Sequence, residues 1–200
     1  MSRLITFGCS YTFGHGLADC TNYKDPSKLG WASVLSNKMN LPLVNISAPG
    51  ASNLEILYNI LNFKFEQDDV VVIMWSLSLR DLKFKKNLFG SKQYTPYKVM
   101  INKPWYAKQW IPEGDIKDYV IKSWIYIQHA DLYLSNKNIK FLHYPSHPGE
   151  LYQHKPDFIN ISNMSTDGIV QIDLADDGAH PGIESNKSMA ENIYNTLCLK

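Results

Sequence analysis

Short apolar runs alternate with stretches of helical periodicity along this chain of 200 residues. Runs that are rich in branched and aromatic residues, and that end at polar or turn residues, predict strands. The predicted strands cover residues 4–7, 43–46, 70–75, 139–144 and 169–172. The run at 70–75 is continuously apolar, which is typical of a strand that is buried on both faces.

Helices are predicted between these strands, because apolar residues recur there at positions that share one helical face. The predicted helices cover residues 31–39, 53–63, 118–134 and 183–197. Strands that alternate with helices are typical of a parallel sheet with helices packed on both faces. We therefore predict an α/β fold, in which a central, mostly parallel sheet of five strands lies between two helical layers.

Residues 83–117 break this alternation, because they are aromatic, rich in lysine and interrupted by prolines at 96, 104 and 112. We interpret them as an insertion over one end of the sheet. No repeat, low-complexity tract or linker divides the chain. The sequence therefore predicts a single domain over residues 1–200.

The composition is that of a globular protein, with 44% hydrophobic and 20% charged residues. The chain has 20 basic and 19 acidic residues, and this balance gives no electrostatic reason to expect a nucleic acid or an anionic membrane as a partner. Its three cysteines lack a CxxC spacing, which argues against a disulfide framework or a zinc cage. We find neither a signal peptide nor an apolar run of about 20 residues, so a cytoplasmic location is expected. The oligomeric state is left open.

A serine directly follows the first predicted strand, in the motif Gly-Cys-Ser-Tyr-Thr-Phe-Gly at residues 8–14. A serine on a tight turn at a strand end exposes its Oγ beside backbone N–H groups, as a nucleophile next to an oxyanion site requires. The same position also suits a serine that caps a helix. Ser10 alone therefore leaves both interpretations open.

An aspartate and a histidine lie three residues apart just before the last predicted helix, as Asp177 and His180. Residues at this spacing face the same way, so the carboxylate can reach the imidazole. A histidine polarised by a carboxylate is the usual general base for a serine nucleophile. A surface aspartate beside a capping histidine would show the same pattern.

A third motif, Asn45–Asn53, follows the second predicted strand and contains Gly50. A glycine on a loop allows its backbone N–H to approach a reacting oxygen, although an ordinary turn also uses glycine. In an open α/β sheet, such loops after the strands form the ligand-binding edge.

Together the three motifs resemble the SGNH hydrolase family, also called GDSL-type esterases and lipases, in their order, spacing and position after strands. The resemblance spans nearly the whole chain. It implies that Ser10 is the nucleophile, that His180 is the base and that Asp177 orients it. It also implies that the N–H groups of Ser10 and Gly50 belong to the oxyanion hole. This chemistry requires neither a metal nor an organic cofactor.

Two positions depart from the family pattern. Cys9 stands where the family has an acidic residue before the serine. After the strand at 70–75 the family has a Gly-x-Asn-Asp motif, whose asparagine donates to the oxyanion, whereas this chain has Trp-Ser-Leu-Ser-Leu-Arg-Asp at 75–81. The polar residues that can replace this donor are Asn53, Ser76, Ser78 and Arg80. Arg80 can alternatively bind an anionic group of the substrate.

The predicted function is hydrolysis of an acyl ester in a small molecule or a glycan, with an acetylated carbohydrate as the preferred class. Trp105, Tyr106 and Trp110 in the insertion offer aromatic surfaces for sugar rings. His15 is a candidate substrate contact. For His143 and His147 we prefer a structural role over lining the cleft or binding a metal. The alternative is a carbohydrate-binding module that keeps the fold but has lost turnover. A flavodoxin-like nucleotide binder is disfavoured, because the first loop lacks a glycine-rich phosphate cradle.

Overall fold

Four parallel strands form the central sheet of the computed structural model, which describes residues 2–20, 24–86, 94–100, 116–161 and 163–198. They are β1 (Leu4–Gly8), β2 (Leu43–Ser47), β3 (Val70–Trp75) and β6 (Lys140–Pro145). Their order across the sheet is β2-β1-β3-β6. The predicted parallel sheet is therefore confirmed, with four strands instead of five.

Helices cover both faces of this sheet, as the alternating pattern predicted. The chain forms α1 (Ser10–Phe13), α2 (Trp31–Met39), α3 (Asn53–Asn62), α4 (Ile116–Asn136), α5 (Pro148–Gln153) and α6 (Ile183–Cys198). The four predicted helices are α2, α3, α4 and α6, and their observed ends lie within two residues of the predicted ones.

Successive residues of β3 point to opposite faces, and each face has its own hydrophobic core. Val71 and Ile73 pack with residues of α3 and α4, whereas Val72 and Met74 pack with residues of α2 and α6. This alternation explains the continuous apolar run at 70–75, because both faces of the central strand are buried. The three-layer α/β/α sandwich is therefore confirmed.

The predicted fifth strand at 169–172 is wrong, because this segment is irregular in the structure. Val170 and Ile172 are 56% and 60% exposed, and the Ile172 N–H donates to the Ser185 hydroxyl at the start of α6. The chain instead reaches the sheet at Met164, which makes an isolated parallel bridge with His143 of β6. The N–H of Ile172 is thus engaged by α6, and residues 169–172 form no strand.

Two further strands, β4 (Arg80–Lys86) and β5 (Tyr94–Met100), pair in antiparallel fashion as a separate sheet. They overlap the segment predicted as an insertion, and Pro96 pairs with Phe84 in their register. A proline is tolerated in such a small sheet, because it can lie at an edge position where no N–H is required. Residues 101–115, which contain Trp105, Tyr106 and Trp110, lie outside the described residues, so their predicted role stays a prediction.

An ion pair fastens the start of β3 to the start of β1. The Arg3 guanidinium donates to both carboxylate oxygens of Asp69, at 2.9 and 2.7 Å, and the Glu66 N–H donates to the same carboxylate. Burial alone would raise the pKa of Asp69, but the Arg3 hydrogen bond and charge lower it below its ordinary value. The side chain of Asp69 is therefore a buried, paired carboxylate.

Among the helices in the described part of the chain, none is both long and apolar enough to cross a membrane.

Candidate active site

Ser10 begins a tight turn that folds back over the end of β1. A Cβ at Gly8 would clash with the Thr12 side chain, so glycine is required where α1 turns back. The Cys9 carbonyl accepts the N–H groups of Thr12 and Phe13, which closes the turn. Among the described residues, no acceptor is found for the Ser10 N–H. The turn thus places a serine that is only 4% exposed, together with an available backbone donor, at the carboxyl end of the sheet.

Asp177 and His180 form a close side-chain pair. The His180 Nδ1 lies 2.6 Å from Asp177 Oδ2, and Asp177 Oδ1 accepts the backbone N–H groups of Ala179 and His180, each at 3.0 Å. Burial would raise the pKa of Asp177, but the hydrogen bonds from the His180 and Ala179 N–H groups, together with the His180 ring, lower it to about 2. The carboxylate is therefore ionised near neutral pH. A histidine that donates an Nδ1–H to such a carboxylate keeps its Nε2 as a proton acceptor when the ring is neutral.

Hydrogen bonds join the two ends of the loop that carries this pair. The Asp173 carboxylate accepts the N–H groups of Glu184 and Ser185 at the start of α6, and the Ala175 N–H donates to the His180 carbonyl. Gly182 fits there because a Cβ would lie 2.5 Å from the Asp173 carboxylate. These contacts hold residues 173–182 in one conformation, so the Asp177–His180 pair is set by the backbone.

The loop after Ser10 contacts the loop of Asp177 and His180. The Asp176 N–H donates to the Gly16 carbonyl at 3.0 Å, and a Cβ at Gly16 would lie 2.6 Å from the Asp177 carboxylate. Gly16 also has a φ of 85°, which favours glycine. The structure therefore brings the first and last sequence motifs, which are far apart in the chain, to one place.

Two aromatic rings of the first motif lie against the His180 ring. The His15 ring centroid is 4.7 Å from that of His180, and the Tyr11 ring meets it edge-on at 5.5 Å. Burial, followed by the nearby His180, lowers the pKa of His15. Tyr11 also lies 6.0 Å from the His147 ring. Sequence reasoning missed Tyr11, whose only signal was its position directly after Ser10, and preferred a structural role for His147 over one in the cleft.

The second motif is tied to the first by hydrogen bonds. The Asn45 side chain donates to the Thr12 carbonyl at 3.1 Å, and the Ala48 N–H donates to the Gly8 carbonyl at 3.3 Å. Gly50 follows with a φ of 75°, a left-handed conformation in which a side chain would be strained. In the part of the chain that the structure describes, its N–H has no acceptor. Gly50 therefore offers a second backbone donor beside the Ser10 turn.

Asn53 is committed to a structural contact. Its Oδ1 accepts the Ser76 N–H at 2.7 Å, while its Nδ2 donates to the Ser76 carbonyl at 3.1 Å and to the Ser123 hydroxyl at 3.0 Å. The side chain is fully buried. Both amide hydrogens are thus engaged, which leaves none for an oxyanion. Asn53 instead stabilises the chain just after β3 by hydrogen bonds.

Ser76 and Arg80 form a pair after β3, at the positions where the SGNH sequence motif has its asparagine. The Arg80 Nη1 donates to the Ser76 Oγ at 2.9 Å, which leaves the Ser76 hydroxyl hydrogen available to another acceptor. Arg80 is also close to Tyr11: burial raises the pKa of the Tyr11 phenol, and the Arg80 charge opposes that rise. Ser78 is buried nearby in the chain. The Arg80 charge therefore acts on Tyr11, which directly follows Ser10.

His143 lies in the core, where it contacts other buried side chains. The Trp75 indole N–H donates to its Nδ1 at 3.1 Å, and its Nε2 lies 3.4 Å from Asp131 Oδ1. Its side chain is fully buried on β6. His143 thus lies in the layer between β6 and α4, whereas Ser10 begins α1 and His180 lies just before α6.

Compared by sequence, the chain matches no family model and none of the curated proteins. Compared by structure, it is similar to a lipolytic protein of the G-D-S-L family from Desulfitobacterium hafniense DCB-2, with 11% identity and a TM-score of 0.53 over 97% of this chain and 98% of the other. It is also similar to the acetyl xylan esterase Est2A from Butyrivibrio proteoclasticus, with 14% identity and a TM-score of 0.57 over 98% of this chain and 63% of that one.

A third similar structure is a carbohydrate esterase whose active site displays divergent catalytic and non-catalytic binding functions. It is 15% identical, with a TM-score of 0.54 over 99% of this chain and 65% of the other. The chain therefore has the fold of GDSL-type lipolytic proteins and carbohydrate esterases.

Proposed function

We propose that the protein is a serine hydrolase that cleaves an acyl ester. The observation that carries this proposal is the 2.6 Å contact between Asp177 and His180, on a loop that packs against the residues directly after Ser10. A carboxylate, an imidazole and a serine hydroxyl in this order are the components of nucleophilic acyl transfer.

In the proposed reaction, His180 Nε2 removes the proton from the Ser10 Oγ as this oxygen attacks the ester carbonyl. The imidazolium that forms is stabilised by Asp177 and then protonates the departing alcohol. Water attacks the resulting acyl-enzyme by the same route, with His180 again as the base, and releases the carboxylic acid and a free Ser10. The free Nε2 of the neutral ring is the feature that this sequence of proton transfers requires.

The proposed oxyanion hole contains the backbone N–H groups of Ser10 and Gly50, because neither has an acceptor among the described residues. The third donor that we propose is the Ser76 hydroxyl. Since its oxygen accepts a hydrogen bond from the Arg80 guanidinium, the hydroxyl is polarised toward donation. Ser78 remains a second candidate for this donor, whereas Asn53 has no hydrogen to spare.

For the substrate, we propose a small acyl group, with an acetylated carbohydrate as the first class to test. The similarity of fold to an acetyl xylan esterase supports this choice. Arg80, close to Tyr11 at the site, offers a positive charge for an anionic group on such a substrate.

The test is hydrolysis of p-nitrophenyl acetate and of acetylated xylan oligosaccharides by the wild type and by Ser10→Ala. Ser135→Ala, which removes an exposed hydroxyl at the end of α4, is the matched control. We expect turnover by the wild type and by the control, and none above background by Ser10→Ala. Equal rates for wild type and Ser10→Ala would refute the proposal.

A binding module without turnover is the second candidate, since the amide of Asn53 is committed to β3 and no asparagine follows that strand. A carbohydrate esterase of similar fold displays non-catalytic binding functions. Saturable binding of xylan oligosaccharides by the wild type and by Ser10→Ala alike, without release of acetate, would favour this candidate.

A further inference from the structure

Three potential metal ligands converge where the two loops meet. His15, Asp177 and His180 each present one ligand atom, and these atoms all lie within 4.8 Å of one another. Zinc bonds of about 2.0–2.2 Å at tetrahedral angles would separate the ligand atoms by roughly 3.4 Å. The widest pair therefore has to close by at most about 1.4 Å, which side-chain rotation on these partly exposed loops can achieve.

We propose that His15, Asp177 and His180 bind a divalent transition-metal ion, with Zn²⁺ as the type ion, and that this ion inhibits the hydrolase. Two imidazole nitrogens and one carboxylate oxygen suit Zn²⁺, Co²⁺, Ni²⁺ or Cu²⁺, whereas Mg²⁺ and Ca²⁺ prefer oxygen ligands alone. Three protein ligands leave a fourth position for water. The composition resembles that of zinc sites with one open position.

His15 supplies the third ligand, which the Asp177–His180 pair alone lacks. The triad mechanism gives it no step, but the Asp176–Gly16 hydrogen bond and the close fit of Gly16 on Asp177 hold its loop against His180. The Asp177 carboxylate is itself oriented by the Ala179 and His180 N–H groups. The segments that carry the three ligands are thus held together by backbone contacts of the protein itself.

Inhibition follows from either way in which His180 can bind the ion. Coordination through Nε2 occupies the atom that accepts the Ser10 proton. Coordination through Nδ1 breaks the contact with Asp177 that sets the tautomer. This consequence rests on the proposed hydrolase function, whereas metal binding itself does not.

Binding is tested by titrating Zn²⁺ into the protein by calorimetry and Co²⁺ by visible absorption. The variants are His15→Ala and His15→Gln, with His129→Ala, an exposed histidine on α4, as the matched control. Loss of an outer-shell partner typically costs about 10–100-fold in metal affinity, so loss of a ligand should cost at least about tenfold. We expect one equivalent to bind to the wild type and the control, and binding at least about tenfold weaker in both His15 variants. Equal affinity in the wild type and in His15→Gln, or no binding by the wild type, would overturn the site.

Inhibition is tested separately, so that its failure can be distinguished from that of the hydrolase proposal. Ser10→Ala should bind Zn²⁺ as tightly as the wild type, because Ser10 is no ligand. Wild-type esterase activity should fall on saturation with Zn²⁺ and return when a chelator is added. Active enzyme that binds Zn²⁺ at this site without loss of rate would contradict the inhibitory role. Metal binding without any esterase activity would refute the proposed function and leave the site standing.

Discussion

Replacing Asp177 with asparagine tests the proposed role of His180 as the base, because the local hydrogen bonds determine how the new amide is oriented. Asp177 Oδ1 accepts two backbone N–H groups, from Ala179 and His180. Since an amide nitrogen cannot accept them, the carbonyl oxygen of the introduced asparagine must take the Oδ1 position. Its NH₂ group then occupies the Oδ2 position, 2.6 Å from His180 Nδ1, and donates into the ring. The imidazole is forced into the tautomer with the proton on Nε2, which cannot accept a proton from Ser10.

The expected loss is large, because the geometry survives while the tautomer is wrong. The same exchange in serine proteases lowers kcat about 10⁴-fold, equivalent to roughly 5.4 kcal/mol of barrier. The side chains of Asp177 and His180 are 30% and 21% exposed, so water can partly relieve the constraint, and we expect a loss of about 10³–10⁴-fold. The assay is kcat/KM for p-nitrophenyl acetate between pH 5 and pH 9.

The matched control is Asp176→Asn, which removes one negative charge from the neighbouring residue and keeps the backbone hydrogen bond to Gly16. It should retain activity within a fewfold of the wild type. Asp177→Asn with a rate within tenfold of the control would refute the assignment of His180 and Asp177. The pKa of Asp177 is lowered to about 2 in the folded protein, whereas that of an unfolded aspartate is near 4. The stabilisation that the ionised Asp177 gives is therefore complete above about pH 4 and is lost as the pH falls toward 2. No loss of activity at pH 5 should therefore be traceable to Asp177.

Three further predictions follow from individual contacts. Ser76→Ala should lower kcat about 10²–10³-fold with little change in KM, if its hydroxyl donates to the oxyanion, and a loss confined to Ser78→Ala would assign the donor to Ser78. Gly50→Ala should destabilise the protein by about 1–2 kcal/mol, because its φ of 75° strains a side chain, and should also lower kcat; an unchanged unfolding midpoint in urea would contradict this. Asp69→Asn should cost about 2–4 kcal/mol of unfolding free energy, because it removes the buried carboxylate that pairs with Arg3 and leaves only the exposed Glu66 as a charged partner. Because the pKa of Asp69 is lowered in the folded protein, the stability that the Arg3–Asp69 pair contributes is present above about pH 4 and is lost as the pH falls through the folded pKa. A difference in unfolding free energy between wild type and Asp69→Asn that is unchanged at pH 2 would contradict this prediction.

The sequence predicted the parts of the fold that depend on local pattern. The helix at Trp31–Met39 has its predicted ends, and β3 has the predicted limits Val70–Trp75, since periodicity and a continuous apolar run report burial directly. The segment 169–172 is also mainly apolar, but Val170 and Ile172 are exposed and the Ile172 N–H is bonded to α6 instead of to a strand. Composition alone does not distinguish an apolar segment on the surface from a strand.

The parts of the candidate site that could be predicted are contacts between residues close together in the sequence. Asp177 and His180 are three residues apart, so the turn between them sets their contact. The roles of Asn53 and His15 depend on residues that are distant in sequence. Asn53 is engaged by Ser76 and Ser123, and His15 is carried to His180 by the fit of Gly16 on Asp177. Such contacts follow from tertiary packing, which no local pattern encodes.

The most direct test of an activated Ser10 is reaction with a fluorophosphonate, followed by peptide mass mapping. The serine oxygen forms a bond to phosphorus and fluoride leaves, so an adduct marks an activated serine and does not depend on knowing the substrate. We predict a single adduct on Ser10 in the wild type, strongly reduced in His180→Ala. The absence of an adduct on Ser10, or equal labelling when His180 is removed, would contradict the account.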